Sequence, residues 1–397
     1  MTGRLAAVEH AIAEIRAGRM VIMVDDEDRE NEGDLAMAAE FVTPDAINFM
    51  ARQGRGLICL SLTEERVDHL GLPMMAADNR SPRSTAFTVS VDARRGTTTG
   101  ISARERAETI RVAVARETRP EDLITPGHVF PLRARRGGVL VRSGHTEGSV
   151  DLARLAGCEP AAVICEIMRD DGEMARMPDL VRMAAEHGLP ILKIADLIEY
   201  RMSQEQLVHR SVEATVRPTL AGLSSDFRAA VYTTDVEDTE YLALVLGEPR
   251  PDQPTLVRVQ TASVLRDVFG VSVDSSATSA TIPLRMIEEE GQGVLLYVFP
   301  RARASLLDDF AAQSGQASPA AAAATAAAVA AAAHPAGRLR DFGLGAQVLV
   351  HLGCGKIRLI TNNPRRVVGA SGYGLDIVEC LPIRSPAKVV ALREQGS

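Results

Sequence analysis

The sequence has no excess of positive charge. Lys and Arg number 44 against 52 Asp and Glu, so the formal net charge is −8. A chain with this balance has no broad basic field to hold a phosphate backbone, which argues against nucleic acid as a partner. Small anions stay open as ligands, because a local cluster of arginines is enough to bind them.

Long apolar runs are also missing. No segment offers the roughly 18 consecutive apolar residues that a membrane-spanning helix needs. The N-terminus carries two early glutamates and lacks the continuous apolar core of a signal peptide. Leu5, Val8, Ile12 and Ile15 recur there at helical spacing, which predicts an amphipathic helix. We therefore expect neither a membrane span nor a secretory signal.

Cysteine is scarce and scattered. The five cysteines are odd in number and never occur in C-x-x-C spacing. This pattern favours reduced thiols of a cytoplasmic protein over a disulfide framework. The residues are Cys59, Cys158, Cys165, Cys354 and Cys380.

The sequence does have an ordinary globular composition, with 46% hydrophobic and 24% charged residues. Its 397 residues predict two or three domains with cores of their own. From Val21 to Ile194 short apolar runs alternate with helical patterns, which predicts a mixed α/β (α+β) fold. The expected strands there are 21–24, 35–39, 57–62, 86–91, 139–141, 161–167 and 191–194.

Local signals predict helix starts and a domain boundary. Thr43-Pro44 is typical of an N-cap and first turn, and Ser102 with Glu105 of a capping box. The polar stretch 199–218 is interpreted as a linker, or as the entry to a second unit. The predicted domains are therefore 1–205 and 206–397, and further strands are expected near 229–233, 243–248, 255–260, 294–299 and 356–361.

The densest chemical signal is the run DDEDRENEGD, Asp25 to Asp34, directly after the apolar run VIMV. A charge run of this kind is usually a solvated turn. Here apolar runs flank it on both sides, and so many carboxylates in one turn repel each other unless a cation neutralises them. A divalent metal is the candidate cation.

A second signal is RSGHTEGSVDLARLAG, Arg142 to Gly157, after the apolar run GVLV. Thr146 is predicted to cap a following helix, whose first amides and dipole favour an anion. Arg142 can add a charge-assisted contact, so a phosphate fits this loop. His145 either ligates a metal or holds the loop by hydrogen bonds.

Two further residues carry weaker signals. His128 lies between two prolines in the expected loop 126–131, and Glu166 follows the apolar run AAVIC. Each residue alone is more often structural or surface than catalytic. Either one can also serve as a proton-transfer group if it faces a substrate.

Together these segments resemble 3,4-dihydroxy-2-butanone 4-phosphate synthase of riboflavin biosynthesis. The acidic run, GTTTGISA, TPGHVFPL, RSGHTEGSVDLARLAG and the strand ending ICEI carry the resemblance over residues 5 to 200. It implies a lyase that converts D-ribulose 5-phosphate to 3,4-dihydroxy-2-butanone 4-phosphate and formate with Mg²⁺ or Mn²⁺. It also implies a homodimer whose sites both subunits complete.

The resemblance carries over to individual positions. It implies that Glu30 and His145 hold the metal, and that His128, Glu166 and Asp34 are catalytic. The residues that it implies around the substrate are Arg29, Glu30, Asp34, Arg142, Ser143, Gly144, His145, Thr146 and Glu166.

The second half resembles GTP cyclohydrolase II, through DVFG at 267–270, the stretch from Arg340 and the stretch from Lys356. That family holds a catalytic zinc through three cysteines, whose matching positions here are Ser263, Asp274 and Ser276. Arg338 stands where the family has an acidic proton acceptor, and the family's E-G-R is 301–303, Arg-Ala-Arg.

Because serine is a poor ligand for zinc, we expect no zinc and no GTP hydrolysis. Two alternatives stay open: a fully bifunctional enzyme with GTP cyclohydrolase II activity, and a second half that acts as a nucleotide-sensing or assembly module. The alanine-rich run 317–333 is expected to be a helix or a lax linker.

Overall fold

The computed structural model describes residues 2–26, 29–79, 85–219, 222–234, 236, 239–269, 279–300, 335–362 and 375–383. The chain divides into two compact units. The first contains Met1–Glu205 with Ala332–Arg340, and the second contains Gln206–Ala331 with Asp341–Ser397. Among the described helices, none is long and apolar enough to span a membrane.

The first unit is built on a mixed seven-stranded sheet in the order β4-β5-β3-β6-β2-β1-β7. Its strands are β1 (Val21–Val24), β2 (Gly33–Ala38), β3 (Cys59–Leu62), β4 (Val91–Ala93), β5 (Leu123–Arg133), β6 (Ala161–Glu166) and β7 (Ile191–Lys193). Its helices are α1 (Thr2–Arg16), α2 (Pro44–Phe49), α3 (Glu64–His69), α4 (Ala103–Val114), α5 (His145–Leu155), α6 (Met177–His187) and α7 (Ile194–Gln204).

Sequence and structure agree where apolar runs are continuous. Every residue of β1 is buried, and β2 pairs antiparallel with both β1 and β6. In α1 the predicted face is buried at Val8, Ile12 and Ile15. Thr43 and Ser102 are the N-caps of α2 and α4, as predicted, and each side chain accepts a backbone N–H of the first turn.

Two expected strands are wrong. Residues 139–141 are not a strand, because Gly137 and Gly138 both have positive φ and turn the chain into a tight 3₁₀ turn, Gly138–Leu140. Residues 86–91 form isolated bridges at Phe87 and Thr88, and the strand begins only at Val91.

Two expected irregular segments are regular. The loop around His128 is part of β5, because Gly127 lets β4 approach closely: a Cβ there would lie 2.0 Å from the carbonyl carbon of Val91. The expected linker 199–218 consists mostly of α7 and a strand, β8 (Val208–Val216). Its polarity arises because β8 is an edge strand whose side chains after Val208 are exposed.

The second unit contains another mixed seven-stranded sheet, in the order β14-β13-β11-β12-β10-β9-β8. Its other strands are β9 (Phe227–Thr234), β10 (Thr239–Leu246), β11 (Pro254–Thr261), β12 (Gly293–Pro300), β13 (Lys356–Ile360) and β14 (Asp376–Leu381). Its helices are α8 (Val264–Asp267), α9 (Thr281–Glu290) and most of α10 (Pro335–His351). The alanine-rich run 317–333 lies outside the described residues.

A buried ion pair fixes the turn that leads into α5. Asp151 of α5 and Arg201 of α7 meet at 2.7 Å with side chains 4% and 3% exposed. Asp151 also accepts the N–H of Val139 at 2.8 Å, and Arg201 donates to the carbonyl of Gly137 at 2.8 Å. The pair therefore joins two helices to the 3₁₀ turn.

Asp151→Ala is expected to lower the free energy of unfolding by about 1–3 kcal/mol: Arg201 keeps its ion pair with Glu205 at 2.7 Å, but the buried N–H of Val139 loses its acceptor. Urea unfolding measures the loss. The matched control is Glu108→Ala, which removes the exposed Glu108–Arg111 pair and should change stability by no more than about 0.5 kcal/mol. Similar losses in both variants would contradict the assignment of Asp151–Arg201 as a structural tie.

Candidate active site

The acidic turn between β1 and β2 is organised around Asp25. The Asp25 carboxylate accepts the backbone N–H of Glu30 at 3.0 Å and that of Glu32 at 2.8 Å. The Arg29 guanidinium donates to Asp25 at 2.8 Å and to Glu30 at 2.7 Å. Burial tends to lower the pKa of Arg29, but these two carboxylates raise it overall. The described residues of the turn are thus joined by a charge network, which a simple solvated charge run would lack.

His145 faces this turn from the first position of α5. Gly144 is the N-cap residue of that helix, and His145 is buried. Ligand atoms of Asp25, Glu30 and His145 all lie within 4.8 Å of one another. Burial lowers the pKa of His145, and the nearby Arg29 charge lowers it further against the pull of the carboxylates. The imidazole is thus held neutral, the form that ligates metals.

The donor set at this point fits a divalent cation. The His145 Nε2 atom is buried and has no hydrogen-bond partner among the described residues. An orphaned buried nitrogen is costly unless it meets a ligand or water. Two carboxylates beside it supply the oxygen donors that Mg²⁺ and Mn²⁺ prefer. Asp25 joins the predicted pair Glu30 and His145 in this cluster, although the sequence marked it only as part of the acidic run.

Two further carboxylates lie at the adjoining sheet edge. Asp34 of β2 and Glu166 of β6 are direct cross-strand partners, and Asp34 Oδ1 lies 4.0 Å from His145 Nε2. Burial and then the neighbouring Glu166 charge raise the pKa of Asp34 well above its ordinary value. The raised pKa favours the protonated form of Asp34, which can donate a proton.

Glu166 is held from the opposite side by the chain at 54–57. Its carboxylate accepts the backbone N–H of Leu57 at 2.8 Å. A Cβ on Gly56 would lie 2.5 Å from the Glu166 carbonyl oxygen and 2.6 Å from its carboxylate, so only glycine permits this approach. Glu166 is therefore a positioned side chain and not a surface residue.

Two guanidinium groups converge at the N-terminus of α5. A Cβ on Gly144 would lie 2.5 Å from Arg142 Nη1 and 3.0 Å from Arg29 Nη2. Arg142 also donates to Glu147 at 2.7 Å, and Glu147 is only 1% exposed. Arginines beside the first amides of a helix are a common arrangement for binding anions, so this is a candidate anion site. Glu147 is a partner that the sequence reading did not single out.

The predicted cap at Thr146 is wrong. Thr146 is the second residue of α5, and Gly144 takes the N-cap position because the helix begins at His145. Thr146 is buried in the first turn, and Ser143 is half-buried just before the cap. Both predicted residues therefore lie beside the anion site, although neither caps the helix.

His128 lies on β5, and two strands of the sheet, β3 and β6, separate β5 from β2. Its Nδ1 is 2.8 Å from the Asp92 carboxylate, which also accepts the His128 backbone N–H at 2.9 Å. The His128 side chain is 42% exposed, so Asp92 orients the ring on its Nδ1 side while the rest of the ring is accessible to solvent. Among the described residues, no hydrogen bond or ion pair joins His128 to Asp34, Glu166 or His145.

In the second unit Ser263 serves as an N-cap. Its hydroxyl accepts the N–H of Arg266 at 3.2 Å, and its own N–H donates to Asp267 at 3.1 Å. The Arg266 guanidinium pairs with Asp267 at 3.0 Å, and Tyr297 donates to the same carboxylate at 2.8 Å. The residues matched to the other two zinc ligands, 274 and 276, lie outside the described residues, as do 301–303, and the side chain of Arg338 is not described.

Comparison with known proteins agrees with the family resemblance of both halves of the chain. Residues 9–200 match the 3,4-dihydroxy-2-butanone 4-phosphate synthase family, and residues 210–382 match the GTP cyclohydrolase II family. The riboflavin biosynthesis protein RibBA of Aquifex aeolicus is 50% identical over 389 residues, which cover 95% of this chain and 92% of that protein.

Two other relatives span both halves. The monofunctional riboflavin biosynthesis protein RIBA 2, chloroplastic, of Arabidopsis thaliana is 44% identical, over 96% of this chain and 78% of that protein. The crystal structure of RibBX from A. baumannii, a two-domain 3,4-dihydroxy-2-butanone 4-phosphate synthase, superposes with a TM-score of 0.73 at 40% identity. It covers 96% of this chain and 99% of that chain.

The fold and the site define an enzyme of riboflavin biosynthesis. The chain belongs to the family of two-domain riboflavin biosynthesis proteins that join a 3,4-dihydroxy-2-butanone 4-phosphate synthase to a GTP cyclohydrolase II-like region. Its activity is that of a 3,4-dihydroxy-2-butanone 4-phosphate synthase.

Proposed function

We propose that the chain converts D-ribulose 5-phosphate to 3,4-dihydroxy-2-butanone 4-phosphate and formate with Mg²⁺ or Mn²⁺ held by Glu30 and His145. Domain 1–205 carries this chemistry, and 206–397 is a GTP cyclohydrolase II-like domain without GTP hydrolysis. The observation that carries the metal assignment is the buried His145 Nε2, which has no hydrogen-bond partner within the described part of the chain, beside the carboxylates of Asp25 and Glu30.

The residues divide the chemistry between them. A divalent cation held by Glu30 and His145 would supply a Lewis acid that stabilises negative charge on substrate oxygen, and so would lower the barrier to proton removal from carbon. Asp34, with its raised pKa, holds a proton that it can give to a substrate oxygen, and the adjacent Glu166 can accept one. Arg29 and Arg142 hold the phosphate at the α5 N-terminus, away from the reacting carbons.

His128 is the remaining proposed catalytic residue, and Asp92 orients it. The Asp92 carboxylate at Nδ1 leaves Nε2 of the exposed ring as the atom that exchanges protons. Since His128 makes no described contact with Asp34 or Glu166, a homodimer in which each subunit's His128 serves the other's site is consistent with its placement. We also propose the cytoplasm as the location, because all five cysteines are free thiols.

The basic test is an assay of the full chain with ribulose 5-phosphate after treatment with EDTA. Formate release should be absent in chelator and should return on addition of MgCl₂ or MnCl₂. Formate release at full rate in excess EDTA would contradict the proposed metal dependence.

Arg142→Ala is expected to raise KM for ribulose 5-phosphate by roughly 10- to 100-fold, since a hydrogen bond between charged groups is worth about 1.5–3 kcal/mol. The inhibition constant of inorganic phosphate should rise in parallel. Arg154→Ala is the matched control, because Arg154 lies at the other end of α5 and pairs with Asp151 at 2.9 Å. An unchanged inhibition constant in Arg142→Ala would place the phosphate elsewhere.

A further inference from the structure

Arg176 reaches the metal turn from a distant helix. It is the N-cap residue of α6, and its side chain crosses to residues that lie 146 and 145 positions earlier in the chain. Its guanidinium donates to the carbonyl oxygen of Glu30 at 2.9 Å and to the carbonyl oxygen of Asn31. The local sequence around Arg176 or Glu30 does not indicate this contact.

Arg176 and Asp25 hold the same short segment through opposite backbone groups. Asp25 accepts the N–H groups of Glu30 and Glu32, while Arg176 donates to the carbonyls of Glu30 and Asn31. Asn31 has φ of 56°, a left-handed conformation that non-glycine residues adopt only at a cost. A segment with such a residue needs fixed partners to stay in place.

The backbone at Arg176, where α6 begins, is itself held in place. The Arg176 N–H donates to the Asp179 carboxylate at 3.0 Å, which caps α6. One turn on, Leu180 packs so tightly under Gly33 that a Cβ on Gly33 would lie 2.5 Å from Leu180 Cδ1. The start of α6 is thus fixed against the end of the metal turn at two points.

We propose that Arg176 is a positioning residue for the divalent cation. Arg176 acts by fixing the backbone of Glu30. This inference rests on the proposed metal site at Glu30 and His145. The inference and simple electrostatics predict opposite changes in cation affinity when Arg176 is removed. A positive charge near the site repels a cation, so its removal alone would tighten cation binding, whereas loss of positioning weakens it.

The experiment is a titration of the full chain with MnCl₂, with free Mn²⁺ followed by electron paramagnetic resonance and no substrate present. Arg176→Ala should raise the Mn²⁺ dissociation constant by about tenfold, within the range seen when an outer-shell partner is lost. Arg176→Lys, which keeps the charge and one donor group, should recover part of the affinity.

The matched control is Arg182→Ala on the same helix. Arg182 is 74% exposed and pairs with Asp179 at 2.6 Å. Its removal deletes the same charge without touching the turn, so Mn²⁺ affinity should be unchanged or slightly tighter. Circular dichroism of both alanine variants, with the spectrum of the unmodified protein, shows that the comparison is between folded chains.

The outcomes separate the two proposals. Absence of Mn²⁺ binding to the unmodified protein would overturn the proposed metal site and this inference with it. Normal binding to the unmodified protein, with equal or tighter binding to Arg176→Ala, would overturn the positioning role alone. Weaker binding in Arg176→Ala and not in Arg182→Ala supports it, as does partial recovery in Arg176→Lys.

Discussion

Glu30→Gln is expected to lower kcat/KM for ribulose 5-phosphate by about 100-fold or more. The substitution keeps the size of the side chain and removes the charge on which a hard divalent cation depends. A Lewis acid contributes several kcal/mol to such a reaction, and each 1.36 kcal/mol is about tenfold in rate. His145→Ala should have an effect of the same order, because it removes the only nitrogen of the cluster formed with Asp25 and Glu30.

Matched variants keep this prediction specific. Glu64→Gln removes a partly exposed carboxylate that pairs with Arg133, and His187→Ala removes an imidazole that packs on Phe49. Both controls should retain activity close to that of the unmodified protein. The prediction fails if Glu30→Gln or His145→Ala keeps near-normal kcat/KM across a titration of MgCl₂.

The full chain is expected to release no formate or pyrophosphate from GTP. Opening the imidazole ring of GTP needs an activated water, and zinc lowers the pKa of its water to about 7 only while strong ligands hold the ion. Ser263 offers a hydroxyl that already accepts the N–H of Arg266, and the Arg266 guanidinium lies beside it on Asp267. A neutral hydroxyl that is engaged as a helix cap is a poor ligand for zinc.

This prediction is checked by assaying ribulose 5-phosphate and GTP side by side in one preparation, with zinc measured by mass spectrometry after dialysis. Synthase activity in the same sample is the control that the chain is folded. Replacing residues 263, 274 and 276 by cysteine should restore zinc binding before turnover, because Arg338 would still stand in place of the proton acceptor. Chelator-sensitive GTP turnover by the unmodified protein would establish the bifunctional alternative.

The sequence predicts those parts of the site whose structure depends on residues that are close together in the chain. The apolar runs before Asp25 and Glu166 are strands because continuous buried segments have few alternatives, and each delivers its carboxylate to the same sheet edge. Contacts between segments that are distant in the sequence are not predicted in this way. Asp92 with His128, and Arg176 with Glu30, lie 36 and 146 residues apart, and nothing in either local sequence specifies such a partner.

Errors in the prediction have the same origin. Residues 139–141 are apolar enough for a strand, but Asp151 and Arg201 hold them as a turn from elsewhere in the chain. The segment around His128 has the prolines of a loop, yet β4 and β3 enclose it as a strand. Tertiary contacts thus override local preference at the segments that flank the site.

The N-terminus of α5 also sets a length scale. Gly144, where two guanidiniums meet, and His145, which faces the acidic turn, are consecutive residues, so one peptide unit separates the proposed phosphate site from the proposed cation site. No hinge can adjust that separation within a single helical turn. The two proposed sites therefore have a fixed spacing, and we expect sugar phosphates with one carbon fewer or more than ribulose 5-phosphate to be poorer substrates.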